Sequence, residues 1–243
     1  MKIDLRCLPG WEARLPKPVL ARSHLPDWLK AMPREAPSGV LGGMMVRTLK
    51  QCPPFIDAMQ AGILFPLVAD LHVVDGQFTW DSGLPASPVS RLTRSPIGVH
   101  VPEQTVGAPF HEPDAFAIKF TNAWTVTLPE GWSLLIQHPI NREDLPFRTL
   151  AGWVDAYPGG MIHFPALWTA PGFTGTLPKG TPVAQAIPVR REALELDFGE
   201  MSDADVARHA ALQDELQSQP GLYRKRFRAG PGPAADDPEV LEP

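Results

Sequence analysis

Proline and glycine constrain this chain more than any other feature. Its 29 prolines and 20 glycines are scattered among short apolar runs and are not gathered into one low-complexity block. Proline has no backbone N–H and a fixed φ, so punctuation this frequent breaks long helices and favours short strands joined by turns. The expected fold class is mostly β, a barrel or sandwich with short helices on the N-terminal side and one C-terminal helix. Hydrophobic residues make up 44% of the 243, enough for a real core.

Residues 1–62 read as an arm packed on that core, with Trp11 and Trp28 as its anchors. Two short helices are expected in it, from Asp27 to Met32 and from Pro54 to Ala61. Gly62 suits the left-handed residue that follows a last helical turn. Ile63 to Val74 reads as a strand, and Asp75-Gly76 as a hairpin turn before Phe78 and Trp80. Residues 82–113 look like a long surface loop; that length is unusual in a compact domain, so the segment is either a functional lid or hides strands. From Phe116 onward strand signals recur, at 116–120, 124–128, 133–137, 153–155, 161–167 and 183–189. The main β domain is thus expected over 63–200.

Ser202 and Asp205 form a capping-box-like start to a helix running to about Gln217, with Val206, Ala210 and Leu216 available for one face. Residues 201–228 combine this helix with a basic run, Arg224, Lys225, Arg226 and Arg228, interleaved with Tyr223 and Phe227. Such a run can touch phosphates or an acidic partner, or be a solvated junction. Residues 229–243 are rich in Pro, Gly and acid and are expected to be disordered.

A net charge of -5 gives no electrostatic reason to expect double-stranded nucleic acid as a partner. No run approaches the ~18 apolar residues of a membrane span. Lys2, Asp4 and Arg6 stand where a signal peptide would be apolar, and Cys7 and Cys52 read as free thiols, so a cytoplasmic protein is expected. The chain has no phosphate-binding Walker loop, dinucleotide fingerprint, Gly-x-Ser-x-Gly elbow or Cys-x-x-Cys pair. None of its seven histidines starts a His-x-carboxylate or His-x-His pair.

Three segments then carry a resemblance in order and spacing. Thr127-Leu-Pro-Glu-Gly-Trp-Ser-Leu-Leu-Ile136 resembles the strand-turn-strand that precedes the second motif of dUTPases. Gly152-Trp-Val-Asp-Ala-Tyr-Pro-Gly-Gly160 resembles their third motif, and Gly175-Thr-Leu-Pro-Lys-Gly-Thr-Pro-Val-Ala-Gln-Ala-Ile187 the stretch that closes the fold. Upstream, Ala69-Asp70-Leu71 resembles the first motif. Together these mark residues ~63–191 as similar to the β-clip fold of the dUTPase and dCTP-deaminase superfamily, and to a group of uncharacterised bacterial and marine-phage proteins.

The resemblance implies a nucleotide site in which Asp155 and Asp70 are the catalytic carboxylates, with Mg²⁺ as the metal. Tyr157 falls one position early for the family's aromatic. The second-motif place, where the family has Arg and Ser for the phosphates, holds Gln137-His-Pro-Ile-Asn141 with Arg142 next to it. Tyr157, His138, Asn141, Arg142 and Gln185 are therefore the candidate ligand-binding residues; a buried Gln185 has the alternative role of satisfying backbone groups. The resemblance also implies a homo-oligomer, trimer or dimer, since dUTPases assemble sites between subunits.

Three functions follow as expectations. The first is a diverged β-clip protein binding a nucleotide or another small polar ligand near Asp155. The second is a non-catalytic structural or assembly protein of phage origin, and the third a metal-dependent biosynthetic enzyme using His138, His163 and a carboxylate.

Overall fold

A computed structural model describes residues 1–81, 83–86, 94–112, 117–155, 160–219 and 221–228. In chain order the elements begin with β1 (Asp4–Arg6), β2 (Val19–Leu20), α1 (Asp27–Ala31), β3 (Glu35–Pro37), β4 (Met45–Arg47) and α2 (Pro53–Gln60). Next come β5 (Ile63–Pro66), β6 (Leu71–Val74), β7 (Gln77–Thr79), β8 (Ile97–His100), β9 (Ala117–Phe120) and β10 (Thr125–Thr127). The remainder are β11 (Trp132–Gln137), β12 (Phe147–Thr149), β13 (Gly152–Val154), β14 (Phe164–Trp168), β15 (Gly175–Leu177), β16 (Pro182–Arg190), α3 (Asp203–Ser218) and α4 (Leu222–Arg226). The protein is mostly β, as the punctuation favours, and its strand pairings are antiparallel.

The chain forms two compact units, each discontinuous in sequence. One comprises residues 1–26 and 58–191, and the other residues 27–57 together with the segment from Glu192 onward. In the first unit, a five-stranded sheet runs β13-β11-β16-β5-β2 and a four-stranded sheet runs β12-β14-β9-β8. Smaller sheets are β15-β6-β7 and the pair β1-β10.

Alternation of apolar and polar residues makes these strands half-buried: in β6, Leu71 and Val73 are buried while His72 and Val74 face out. Phe65, Phe120, Phe147 and Phe164 meet in the core, with ring centroids 4.6 Å apart for Phe120–Phe147 and 5.2 Å for Phe65–Phe164. Trp11 is buried in a second cluster with Leu15, Val68 and Trp124. The single strand expected over 63–74 is two, because Pro66 and the turn before Leu71 redirect the chain into a different sheet. The segment 82–113 hides a strand: β8 pairs along β9, from Ile97↔Phe120 to His100↔Ala117.

Strand β16 is the spine of the first unit. Pro182 to Ala186 are buried between β11 and β5, yet Pro188 follows in the same strand. Pro188 faces Leu134 at a position whose N–H would point away from β11, and β5 has ended by then. Its missing donor therefore costs no ladder bond.

The second unit holds α1, the β3-β4 ribbon, α3 and α4. Lys50 Nζ donates to the carbonyls of Lys30 (2.6 Å) and Met32 (3.0 Å), and Thr48 Oγ1 donates to that of Pro33 (2.6 Å). Helix α3 starts at the expected capping box, Ser202 with Asp205, but Val206 and Ala210 are exposed and none of its residues is buried. Two of the basic residues that follow are committed within this unit, Arg226 to Glu215 at 2.9 Å and Arg228 to Asp57 through a two-bond contact. The tail 229–243 lies outside the described residues.

Candidate functional site

Strands β11 and β16 pair from Trp132↔Arg190 to Gln137↔Gln185, and polar side chains gather at both ends of the pair. At the first end, β13 pairs along β11 with Leu134 opposite Val154, so Asp155 arrives across from Ser133. Ser133 Oγ donates to Asp155 Oδ1 at 2.5 Å, and Arg191 Nη2 donates to the same oxygen at 3.0 Å. Arg191 Nε donates to Ser133 Oγ at 2.8 Å, which closes a triangle. The guanidinium also lies over the indole of Trp153, 4.9 Å from its centroid.

The Asp155 side chain is 74% exposed and that of Arg191 53%. The hydrogen bonds from Ser133 and Arg191 hold the Asp155 carboxyl below the ordinary carboxylate range. It is an ionised acceptor, weak as a base, and the adjacent guanidinium disfavours a cation at the same oxygen. Tyr157, expected beside it, lies outside the described residues.

The other end is closed. Gln185 is buried, and its amide serves three backbone groups: Oε1 accepts from Ile140 N–H at 2.8 Å, and Nε2 donates to Ala58 O (3.1 Å) and Ala61 O (2.6 Å). His138 Nδ1 accepts from Thr149 N–H at 3.2 Å, which leaves Nε2–H to donate to Arg142 O at 3.0 Å. Burial pushes the imidazole below its ordinary pKa. Arg142 grips the Asp144 carboxylate with two bonds, Nε–Oδ1 at 2.8 Å and Nη2–Oδ2 at 2.9 Å. Asn141 occupies a left-handed turn position with φ of 59°. The cavity among Pro139, Ile140, Arg142 and Gln185 measures about 10 Å³, room for a single water at most. The residues at the second-motif place thus build the turn between β11 and β12, with His138 and Arg142 bonded within it.

Asp70 belongs to neither cluster. Its Oδ1 accepts from Lys179 N–H at 2.6 Å, ahead of β16, whereas Asp155 bonds Arg191 beyond the strand's far end. The nine residues of β16 between them rise roughly 30 Å at ~3.3 Å per residue. One chain does not bring the two expected catalytic carboxylates together, and a Mg²⁺ shared between them does not fit.

The metal reading of His138 and His163 is corrected in the same way. His163 Nδ1 accepts from Asn122 N–H at 3.2 Å, and burial, with a smaller contribution from Lys119, pushes its pKa down. Both ring nitrogens of His138 are occupied. Among the described residues no group of three His, Cys, Asp or Glu side chains is placed to hold a metal ion.

Ser133, Trp153 and Arg191 were not singled out from sequence. Their signal is register: once the antiparallel β11-β13 pairing is known, Ser133 must face Asp155. A groove of about 200 Å³ lined by Pro16, Lys17, Val19, Leu64 and Pro66 lies elsewhere and is below the ~300 Å³ usual for a ligand pocket. Among the described residues no helix is long and apolar enough to cross a membrane.

No family model and no curated protein matches the chain. Among solved structures it is similar to the dUTPase of Staphylococcus bacteriophage 80alpha bound to dUpNHpp, at 14% identity over 36% of this chain and 74% of that one, with a TM-score of 0.27. It is also similar to the dUTPase of phage phi11 of S. aureus, at 16% identity over 44% of this chain and 98% of that one, again with a TM-score of 0.27. The overlap is partial, and the chemistry of this chain is carried by its own side chains.

Proposed function

We propose that the β-rich unit is a binding module for a small polar ligand, of the size and polarity of a nucleotide, held at the Ser133–Asp155–Arg191 triangle beside Trp153. The observation that carries this reading is an exposed, ionised carboxylate and an exposed guanidinium fixed within 3.0 Å of each other against an exposed indole face. The three groups offer a ligand an acceptor, a multiple donor and a stacking surface. A ligand with both a flat ring and an anionic group engages all of them, the ring on Trp153 and the anion on Arg191.

Binding is favoured over hydrolysis. Asp155 is weakened as a base by its own donors, Asp70 is at the far end of β16, and His138 and Arg142 are spent on the fold. Thermal unfolding against deoxynucleoside mono-, di- and triphosphates, with and without Mg²⁺, tests the reading. A ligand at a hundred times its Kd adds about 2.7 kcal/mol, several degrees in Tm for a chain of this length. A rise that disappears in Arg191→Ala and Asp155→Ala supports the site, and a flat response across the panel rejects a nucleotide as its ligand.

A further inference from the structure

Residues 193–201 have the sequence of a strand and no sheet to join. Leu194, Leu196 and Phe198 alternate with Glu195 and Asp197, the pattern of a strand with one buried face. Yet Leu194, Leu196, Phe198 and Met201 are 91, 76, 86 and 62% exposed. Among the described residues, no backbone hydrogen bond ties this segment down.

The β3-β4 ribbon of the same unit presents the complementary defect. Thr48 N–H bonds Arg34 O and Ser38 N–H bonds Met44 O, so by alternation Glu35, Pro37, Met45 and Arg47 turn their backbone groups outward. On the β3 side Pro37 has no N–H to give. On the β4 side the N–H and C=O groups of Met45 and Arg47 form an open edge. That edge is apolar and basic: Met44 and Met45 are exposed, and Arg47 makes no ion pair among the described residues. Glu35, across from Arg47, is the acid on the ribbon.

We propose that residues 193–198 of one copy of this chain add as a third strand along β4 of a second copy, and that the exchange is reciprocal. Main-chain bonds from Met45 and Arg47 would then be completed, Glu195 and Asp197 would share the face of Arg47, and the alternating apolar side chains would lie on the face of Val46. Each chain carries both halves of the contact, which is the condition for a two-fold, self-complementary dimer. This goes beyond ligand binding and uses none of its residues.

Sedimentation equilibrium on the full chain reads the outcome. The wild type is expected at twice the 26.6 kDa of one chain. Arg47→Glu alone, and Glu195→Lys with Asp197→Lys alone, are expected at the monomer mass, since each puts like charges across both contacts. Mixed in equal amounts they are expected to return to the dimer mass, because both contacts of the mixed pair are again complementary. Leu196→Asp with Phe198→Asp, at positions exposed in the single chain, is expected to give monomers with an unchanged far-UV circular dichroism spectrum. A monomeric wild type at its highest soluble concentration overturns the proposal. So does a wild-type mass for any of these variants, or a mixture that stays monomeric.

Discussion

The two ends of the β11-β16 pair hold polar residues of the same kinds and put them to opposite uses. At the Gln185 end, amide, imidazole and guanidinium each bond to partners supplied by the chain, and the remaining cavity admits about 10 Å³. At the Asp155 end, carboxylate and guanidinium bond to each other and to the buried Ser133 hydroxyl, and the two charged groups remain open to water. A buried polar group that loses its partner is costly, whereas an exposed one exchanges its partner for water at little cost. The closed end therefore contributes to stability, and the open end is where a ligand can exchange with solvent.

The strongest test of this contrast is Gln185→Leu. The side chain is nearly isosteric, but Ile140 N–H and the carbonyls of Ala58 and Ala61 lose their partner together. At roughly 1–3 kcal/mol per stranded group, with partial relaxation, the expected loss is about 4 kcal/mol, read as a drop in urea midpoint at unchanged slope. A loss under about 1 kcal/mol would mean that the amide is replaceable by water, and the closed end would not be closed.

Most strands along 117–190 were legible because their signals are local: alternation, turn residues and the Pro-Glu-Gly and Lys-Gly corners; the three-residue strands β12 and β15 were not. Gly62 was legible too. It sits at φ +71°, where a Cβ would come within 2.1 Å of the Ala186 carbonyl oxygen. The ribbon at 35–47 and strand β8 were not legible, since three- and four-residue strands among prolines and glycines carry almost no periodicity. The site divided in the same manner. Asp155 stands out from its motif-like surroundings, but Arg191 and Ser133 reach it only through a register that non-local pairing decides. His138 and Arg142 were attractive as functional types, and only their bonding shows that the fold has used them.

A smaller effect separates the ends by pH. Burial holds the His138 ring below its ordinary pKa, so the unfolded chain takes up a proton there before the folded chain does. Stability from this group is whole above the free imidazole value of about 6.5 and declines as pH falls from there toward the folded value. His163, depressed mainly by burial, acts in the same direction. His138→Gln is expected to flatten the fall of Tm between pH 7 and 5. An unchanged slope would assign the effect to His163 and leave the closed end insensitive to protons.

The smallest stability effect belongs to Asp155→Ala. The carboxylate is exposed, its partner Arg191 is half-exposed and screened by solvent, and the buried Ser133 hydroxyl keeps the bond it accepts from Arg191 Nε when the acid is removed. No resolvable change in the Tm of the ligand-free protein is expected, in low or high salt. The same substitution should remove any ligand-induced rise, because the guanidinium loses the bond that holds it over Trp153. These two outcomes must occur together for the open end to be a binding site. A variant that melts several degrees early makes the triangle a structural tie like Gln185, and one that keeps the full ligand response moves the ligand away from Asp155.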